Sequence, residues 1–390
     1  MTNKQEFKLS QDEKLTLLKD LVAFKSVNDG ELEVAKYLQD YLAKYDIDAE
    51  ILPINKTRAN LIAKVGTGSP VFAISGHMDV VSEVDATKWD TDPFQLTEKD
   101  GQLYGRGAAD MKSGLAAMVT TLIELKQNGL PKHGTVKLMA TVGEEVGGYG
   151  SQEFQKNGDT DDIDSLIVGE PSNHEIIYAH RGSMDIRLTS KGTVAHSSMP
   201  EKGYNALNPL LEILAEAKHT FEKATEENSE LGQLTYNTTI LNSGDQVNSI
   251  PDLAVAEMNA RTIPEYSNQK VEQVLQKLVE QQNQAGAKVD MNVYMSEMPV
   301  VKNANNKMTD LAQKIGQEKL GVPFVKRPSA GVTDASNLLK DKTDADFPFM
   351  MFGPGNYGIA HKINEFVEKQ DYLTFSDIYE ALIVEYLDEK

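Results

Sequence analysis

Three short runs in this chain are apolar almost throughout, and each ends on a histidine or a carboxylate. VFAISG (71–76) runs into His77, GTVKLMATVG (134–143) into Glu144 and Glu145, and DSLIVG (164–169) into Glu170. Strands without polar alternation cannot keep one face in water, so they require a sheet covered on both sides. NLIAKV at 60–65 reads as a further strand of the same kind. In α/β sheets ligands gather at the carboxyl ends of strands, and there these acids and this histidine fall.

Helical signals lie between the strands. Ser10 with Glu13 forms a capping-box pattern ahead of LTLLKDLVAF, and ELEVAKYLQDYL carries a second helical periodicity. Residues 82–109 are loop-like, and a long helix is predicted from near Asp110 to Asn128, stopped by Gly129 and Pro131. From about 181 to 295 the texture changes. SMDIRLTSKG and TVAHSS precede a helix predicted over 204–225, followed by two more strands and another helix. That block reads as an inserted α+β domain. Helix–strand alternation then resumes, ending in LTFSDIYEALIVEYL. At 390 residues the chain exceeds one ordinary core. The expected organisation is an α/β domain built from 1–180 and 296–390, interrupted by a domain at 181–295.

Composition removes several function classes. With no cysteine there is no disulfide, thiolate metal site or cysteine nucleophile, so any metal must be held by His, Asp and Glu. A formal charge of −20 argues against nucleic acid and anionic membrane as partners. It also means that an anionic substrate needs a local basic pocket. No run approaches the length of a membrane span, and MTNKQEFKLS lacks a secretory pattern, so the cytoplasm is the expected compartment.

The chemistry lies in four short motifs. SGHMDVV sets His77 and Asp79 two apart, on one face of a strand, where an Asp commonly accepts the second ring N–H of a ligating His. YGRGAADMKSG puts Asp110 near a helix start beside Gly105 and Gly107; a helix N-cap is the simpler role for that Asp taken alone. TVGEEVGG offers adjacent carboxylates, costly after a buried strand unless one is a ligand and the other a base. VGEPSN places Glu170 at a strand end. A two-metal site needs a shared carboxylate, terminal His or carboxylate ligands and a base beside the attacking water.

In this order, and with His361 in MFGPGNYGIAHKINEFV, these motifs resemble the dizinc aminoacylase, desuccinylase and carboxypeptidase family along nearly the whole chain. The resemblance implies a zinc exopeptidase-like domain with a mixed central sheet flanked by helices, and an α+β insert serving as lid and dimerisation domain. It implies two zinc ions per chain, with cobalt or manganese as substitutes. Asp110 would bridge them, with His77 and Glu170 on one ion and Glu145 and His361 on the other. Glu144 would be the general base and Asp79 the partner of His77. His196, in KGTVAHSSMP, would act from the partner subunit of a homodimer, stabilising the tetrahedral oxyanion when the lid closes. His133, His174 and His219 have no motif around them and read as structural; His180 stays undecided.

Metal ligands do not name a substrate. Arg181, Asn248, Arg261 and Thr333 are the candidate substrate-binding residues, since guanidinium groups suit a small N-acyl amino acid with several carboxylates. AHKINEFV, the RGS at 181–183 and the Thr333–Asp334 pair resemble the desuccinylase branch, which acts on N-succinyl-LL-2,6-diaminopimelate in lysine and cell-wall precursor synthesis. Ala335 and Ser336 stand where that branch usually has glycine, and GTVAHSSMP resembles the acetylornithine deacetylases equally. That deacetylase activity and a dipeptidase activity remain the alternatives.

Overall fold

The computed structural model describes residues 6–388 of the chain. It divides into two units, one comprising Met1–Tyr178, Lys302–Arg327 and Thr333–Lys390, the other Ala179–Val301 and Pro328–Val332.

In the first unit the expected capping box forms. Ser10 accepts from the Glu13 N–H while the Glu13 carboxylate accepts from the Ser10 N–H, opening the helix Gln11–Ala23. The central sheet runs Ala49–Pro53, Ala59–Thr67, Gly134–Thr141, Val71–His77, Ser165–Val168, Phe349–Met351, Glu175–His180. Val71–His77 is parallel to both neighbours, whereas Ala59–Thr67 pairs antiparallel with Gly134–Thr141. The sheet is therefore mixed. Every residue of Val71–His77, Gly134–Thr141 and Ser165–Val168 is buried, including the polar Ser75, Thr135, Lys137 and Ser165. Their register pairs His77 with Thr141 and Ser75 with Val168, so the three carboxyl ends emerge side by side.

One face of this sheet is covered by the helix Lys112–Asn128, buried at every position from Lys112 to Leu125, which packs in turn on the C-terminal helix Lys369–Asp388. A helix buried all round needs small residues where it approaches backbone. At Gly114 a Cβ would collide with the Gly169 carbonyl oxygen, so glycine there lets the helix reach the strand end that presents Glu170. The helix starts at Lys112 and not at Asp110, and its N-cap residue, Met111, makes no side-chain cap. The Asp110 carboxylate is engaged elsewhere.

In the second unit a four-stranded antiparallel sheet runs Thr235–Ser243, Leu253–Thr262, Gly182–Lys191, Val289–Glu297. Alternate residues of Leu253–Thr262 are buried, the pattern of a sheet with one covered face. The helices Leu207–Glu222 and Asn268–Gln284 pack on the sheet, burying Leu210, Ile213, Phe221, Val271, Leu275 and Val279. A short ladder pairs Ala195–His196 with Ser249–Ile250. Among the described residues no helix is long and apolar enough to cross a membrane.

Candidate metal centre

The aligned strand ends bring His77, Asp110, Glu144, Glu145, Glu170 and His361 together within the first unit. Ligand atoms of His77, Asp110 and Glu170 lie within 4.8 Å of one another, and so do those of Asp110, Glu145 and His361. Asp110 belongs to both groups. Its Oδ1 is 3.1 Å from His77 Nε2 and its Oδ2 is 3.3 Å from His361 Nε2. Glu170 Oε1 completes the first group at 3.6 Å from His77 Nε2, and Glu145 Oε1 the second at 3.0 Å from His361 Nε2.

The surroundings of the ring nitrogens bear on what these atoms could hold. His77 Nδ1 lies 2.9 Å from the backbone carbonyl oxygen of Asp79, which can only accept, so Nδ1 carries the ring proton. His77 Nε2 then faces two carboxylate oxygens, an arrangement that positive charge there stabilises, whether a proton on Nε2 or a metal ion. For metal–ligand bonds of 2.0–2.2 Å, ligands at neighbouring corners of a tetrahedron lie about 3.3–3.6 Å apart. The separations of 3.6 and 3.3 Å match that edge, and those of 3.1 and 3.0 Å are shorter, at hydrogen-bond distance. Imidazole and carboxylate donors without thiolate suit zinc, with cobalt and manganese acceptable.

The electrostatics agree. Burial raises Glu144 and Glu170 well above the ordinary carboxyl range, and the neighbouring acids push further, Glu170 on Glu144 and Asp110 on Glu170. Burial alone would lower His77, but Glu170, Asp110 and Asp79 together raise it well above its usual value. His361 is pushed up to about 10, first by its hydrogen bond to Asp110 and then by that to Glu145. Among the described residues no lysine or arginine is ion-paired with Asp110, Glu144, Glu145 or Glu170. The contrast is the cluster of Glu124, Asp377 and Glu380, where Lys8 sits 3.1 Å from Glu124 and Lys14 3.2 Å from it. There the positive charge is built into the chain, and the cluster ties the N-terminal segment to the C-terminal helix.

Asp79 partners His77 through its main chain. Its carboxylate lies 3.7 Å from His77 Nδ1 and instead accepts the N–H groups of Glu144 and Glu145, each at 3.2 Å. It therefore holds the short turn Glu144–Val146 that carries both acids.

Two residues that the sequence did not single out, Arg106 and Glu365, are completely buried against the Asp110 turn. Glu365 Oε1 accepts from the N–H groups of Ala109 at 2.8 Å and Asp110 at 2.9 Å, while Oε2 is ion-paired with Arg106. Both residues stand inside quoted motifs, YGRGAAD and KINEFV. A signal separated by 259 residues becomes readable only once the fold joins them.

The other candidates divide between the units. Thr333, in the first, is buried, and its hydroxyl oxygen accepts from the Ala335 N–H at 3.3 Å. Arg181, Asn248, Arg261 and His196 lie in the second. Arg181 donates to the Leu231 carbonyl at 2.6 Å. Burial lowers the pKa of the Arg261 guanidinium, Asp185 opposes this, and Arg181 adds to it as a like charge. His196 is exposed beside Asn248, whose carbonyl accepts from the Ser197 N–H at 3.0 Å. The Ser198 N–H donates to His196 Nδ1 at 3.2 Å, which leaves the proton of a neutral ring on Nε2. Of the remaining histidines, His174 is bound to Asp371 at 2.8 Å. His180 is buried, and burial lowers it to about 4. His219 lies in the last turn of its helix, and His133 is exposed.

Comparison with known proteins places this arrangement. Residues 73–385 match peptidase family M20/M25/M40. A Staphylococcus epidermidis protein named probable succinyl-diaminopimelate desuccinylase is 40% identical, over 98% of this chain and 99% of its own length. Among solved structures, the Sulfolobus solfataricus M20 family metallo-carboxypeptidase superposes with a TM-score of 0.80 at 21% identity, covering 96% of this chain and 99% of that one. A dinuclear metal-binding peptidase of Bacillus subtilis superposes with a TM-score of 0.69 at 17% identity, covering 97% of this chain and 99% of that one. On the family match and the near full-length likeness to the staphylococcal protein, the chain belongs to peptidase family M20/M25/M40 and is a hydrolase.

Proposed function

We propose that this hydrolase cleaves the amide of N-succinyl-LL-2,6-diaminopimelate, releasing succinate and LL-diaminopimelate, with two zinc ions held by His77, Asp110, Glu145, Glu170 and His361. The observation that carries the reading is the position of Asp110, whose two oxygens face two different imidazoles at 3.1 and 3.3 Å, as a bridging carboxylate must. The dinuclear peptidase of Bacillus subtilis supports the count of two. The name of the staphylococcal relative supports the succinyl substrate.

Two such ions, when bound, would acidify the attacking water and polarise the scissile carbonyl. Glu144 does the proton transfer. Burial raises its pKa toward the range of an effective general base, and the Asp79 carboxylate fixes its backbone. It takes a proton from the water as the oxygen adds to the carbonyl carbon. It then delivers that proton to the amide nitrogen as the C–N bond breaks, leaving a carboxylate and an amine. His196, with its proton on Nε2, is a donor for the tetrahedral oxyanion, and we assign it to the partner's site in a homodimer built through the second unit. Arg181 and Arg261 supply local positive charge in a chain of net charge −20, suited to the succinyl carboxylate. Asn248 and Thr333 offer polar contacts.

The test is kcat/KM on zinc-loaded protein for N-succinyl-LL-2,6-diaminopimelate, N-acetylornithine and several dipeptides, with a chelated control. A preference for the succinyl substrate that disappears on chelation is expected. A preference for the acetyl substrate or a dipeptide would overturn the substrate, and activity that survives complete metal removal would overturn the centre.

A further inference from the structure

We propose that Arg106 and Glu365 form a single positioning clamp that fixes Asp110 and His361 relative to each other and so sets the affinity of the centre for its second cation. The proposal rests on the reading that these two residues ligate metal. Their elements are remote in sequence, with Arg106 and His361 255 positions apart. Yet Asp110 Oδ2 and His361 Nε2 stand 3.3 Å apart, and a metal site tolerates errors of only about 0.2 Å in its bonds.

One ion pair ties the two segments together. Glu365 takes the N–H groups of Ala109 and Asp110 on one oxygen, at 2.8 and 2.9 Å, and Arg106 on the other. The same guanidinium donates from Nη2 to the carbonyl oxygen of His361 at 3.3 Å, and its face lies 5.3 Å from the Trp89 ring. The His361 side chain is half exposed, and its backbone sits at φ +64. A non-glycine residue keeps that conformation only where its surroundings impose it. The bond from Arg106 is such a constraint.

Stability alone gives little reason for this pair. Both side chains are fully buried, Arg106 Nε finds no partner among the described residues, and burial lifts Glu365 to about 7 against the pull of Arg106. Replacing a buried ion pair of this kind by apolar residues of similar volume is often neutral or stabilising. What apolar residues cannot do is grip the Asp110 turn and the His361 carbonyl at once.

The test is zinc titration calorimetry on chelator-stripped protein, with the melting temperature of the metal-free form measured beside it. Two variants separate the roles. Arg106→Lys keeps a cation for Glu365, but one ammonium cannot also serve the His361 carbonyl. The double variant Arg106→Met with Glu365→Leu leaves no unpaired charge inside. The clamp predicts that both variants bind the second zinc about 10- to 100-fold more weakly. It also predicts that metal-free Arg106→Lys melts close to the wild type, whereas the double variant, which leaves the Ala109 and Asp110 N–H groups without their acceptor, melts lower. Wild-type affinity for two zinc ions in the double variant would overturn the proposal, because the pair would then be structural only. Failure of the wild type itself to bind zinc would instead overturn the metal reading beneath it.

Discussion

Replacing Asp79 by asparagine changes one atom of a side chain whose two oxygens each accept a backbone N–H, from Glu144 and from Glu145, both at 3.2 Å. The amide keeps one acceptor and must turn its NH2 group toward the other N–H. Exchanging a charged acceptor for a neutral one forfeits about 1 kcal/mol, and an unsatisfied buried N–H costs about 1–3 kcal/mol more. The sum, about 2–4 kcal/mol, bears on the turn that carries the general base and one ligand. At 1.4 kcal/mol per tenfold, kcat should fall on the order of 10²-fold if the turn absorbs the whole effect. His77 should be spared, because its Nδ1 proton is held by the Asp79 carbonyl and not by the carboxylate. The assay is zinc titration calorimetry in two backgrounds. With His361→Ala only the His77–Asp110–Glu170 group remains, and Asp79→Asn should leave its affinity unchanged. With Glu170→Ala the Asp110–Glu145–His361 group remains, and the same change should weaken it. If the His77 group weakens and the other does not, the carboxylate serves the imidazole after all and the reasoning is wrong.

Glu144→Gln should keep both metals, by elemental analysis, while kcat falls about 10²- to 10⁴-fold; an unchanged kcat would remove Glu144 from the base role. Arg261→Lys should raise KM for the succinyl substrate about tenfold and leave kcat nearly intact, since an ammonium lacks the bidentate fork; steady-state kinetics checks it. The hydrogen bond that His174 donates to Asp371 raises the His174 pKa above 6.5, so the pair stabilises the fold fully below that value and loses its effect as pH climbs through the higher folded value. Asp371→Asn should therefore lower the melting temperature at pH 6 more than at pH 9, and equal losses at both would show that the pair does not titrate.

The sheet was legible because Val71–His77 and Ser165–Val168 carry no polar alternation, which only a doubly covered sheet allows; Gly134–Thr141 was less clear, since Thr135 and Lys137 alternate with Val136 and Leu138. The gathering of His77, Glu144, Glu145 and Glu170 at one edge follows from the same fact, since parallel neighbours end together. The helix start was less legible. Asp110 looks like an N-cap in sequence, but the structure turns its carboxylate to two imidazoles and begins the helix two residues later. A local motif cannot show that a distant His361 competes for the same side chain. The partner of His77 was half readable: the spacing of two puts Asp79 on the right face, but whether its main chain or its carboxylate does the work depends on the turn after Thr141. Arg106 and Glu365 were unreadable as a pair, because charged residues in glycine-rich loops ordinarily face water and only the closed fold shows both buried.

The measurement closest to the central claim is a crystal structure of the zinc-loaded protein with data collected at the zinc absorption edge. Two anomalous peaks about 3.5–4 Å apart, one between His77 and Glu170 and one between Glu145 and His361, with Asp110 touching both, are predicted. A single peak, or metal at Glu124, Asp377 and Glu380 in place of this centre, would contradict the account.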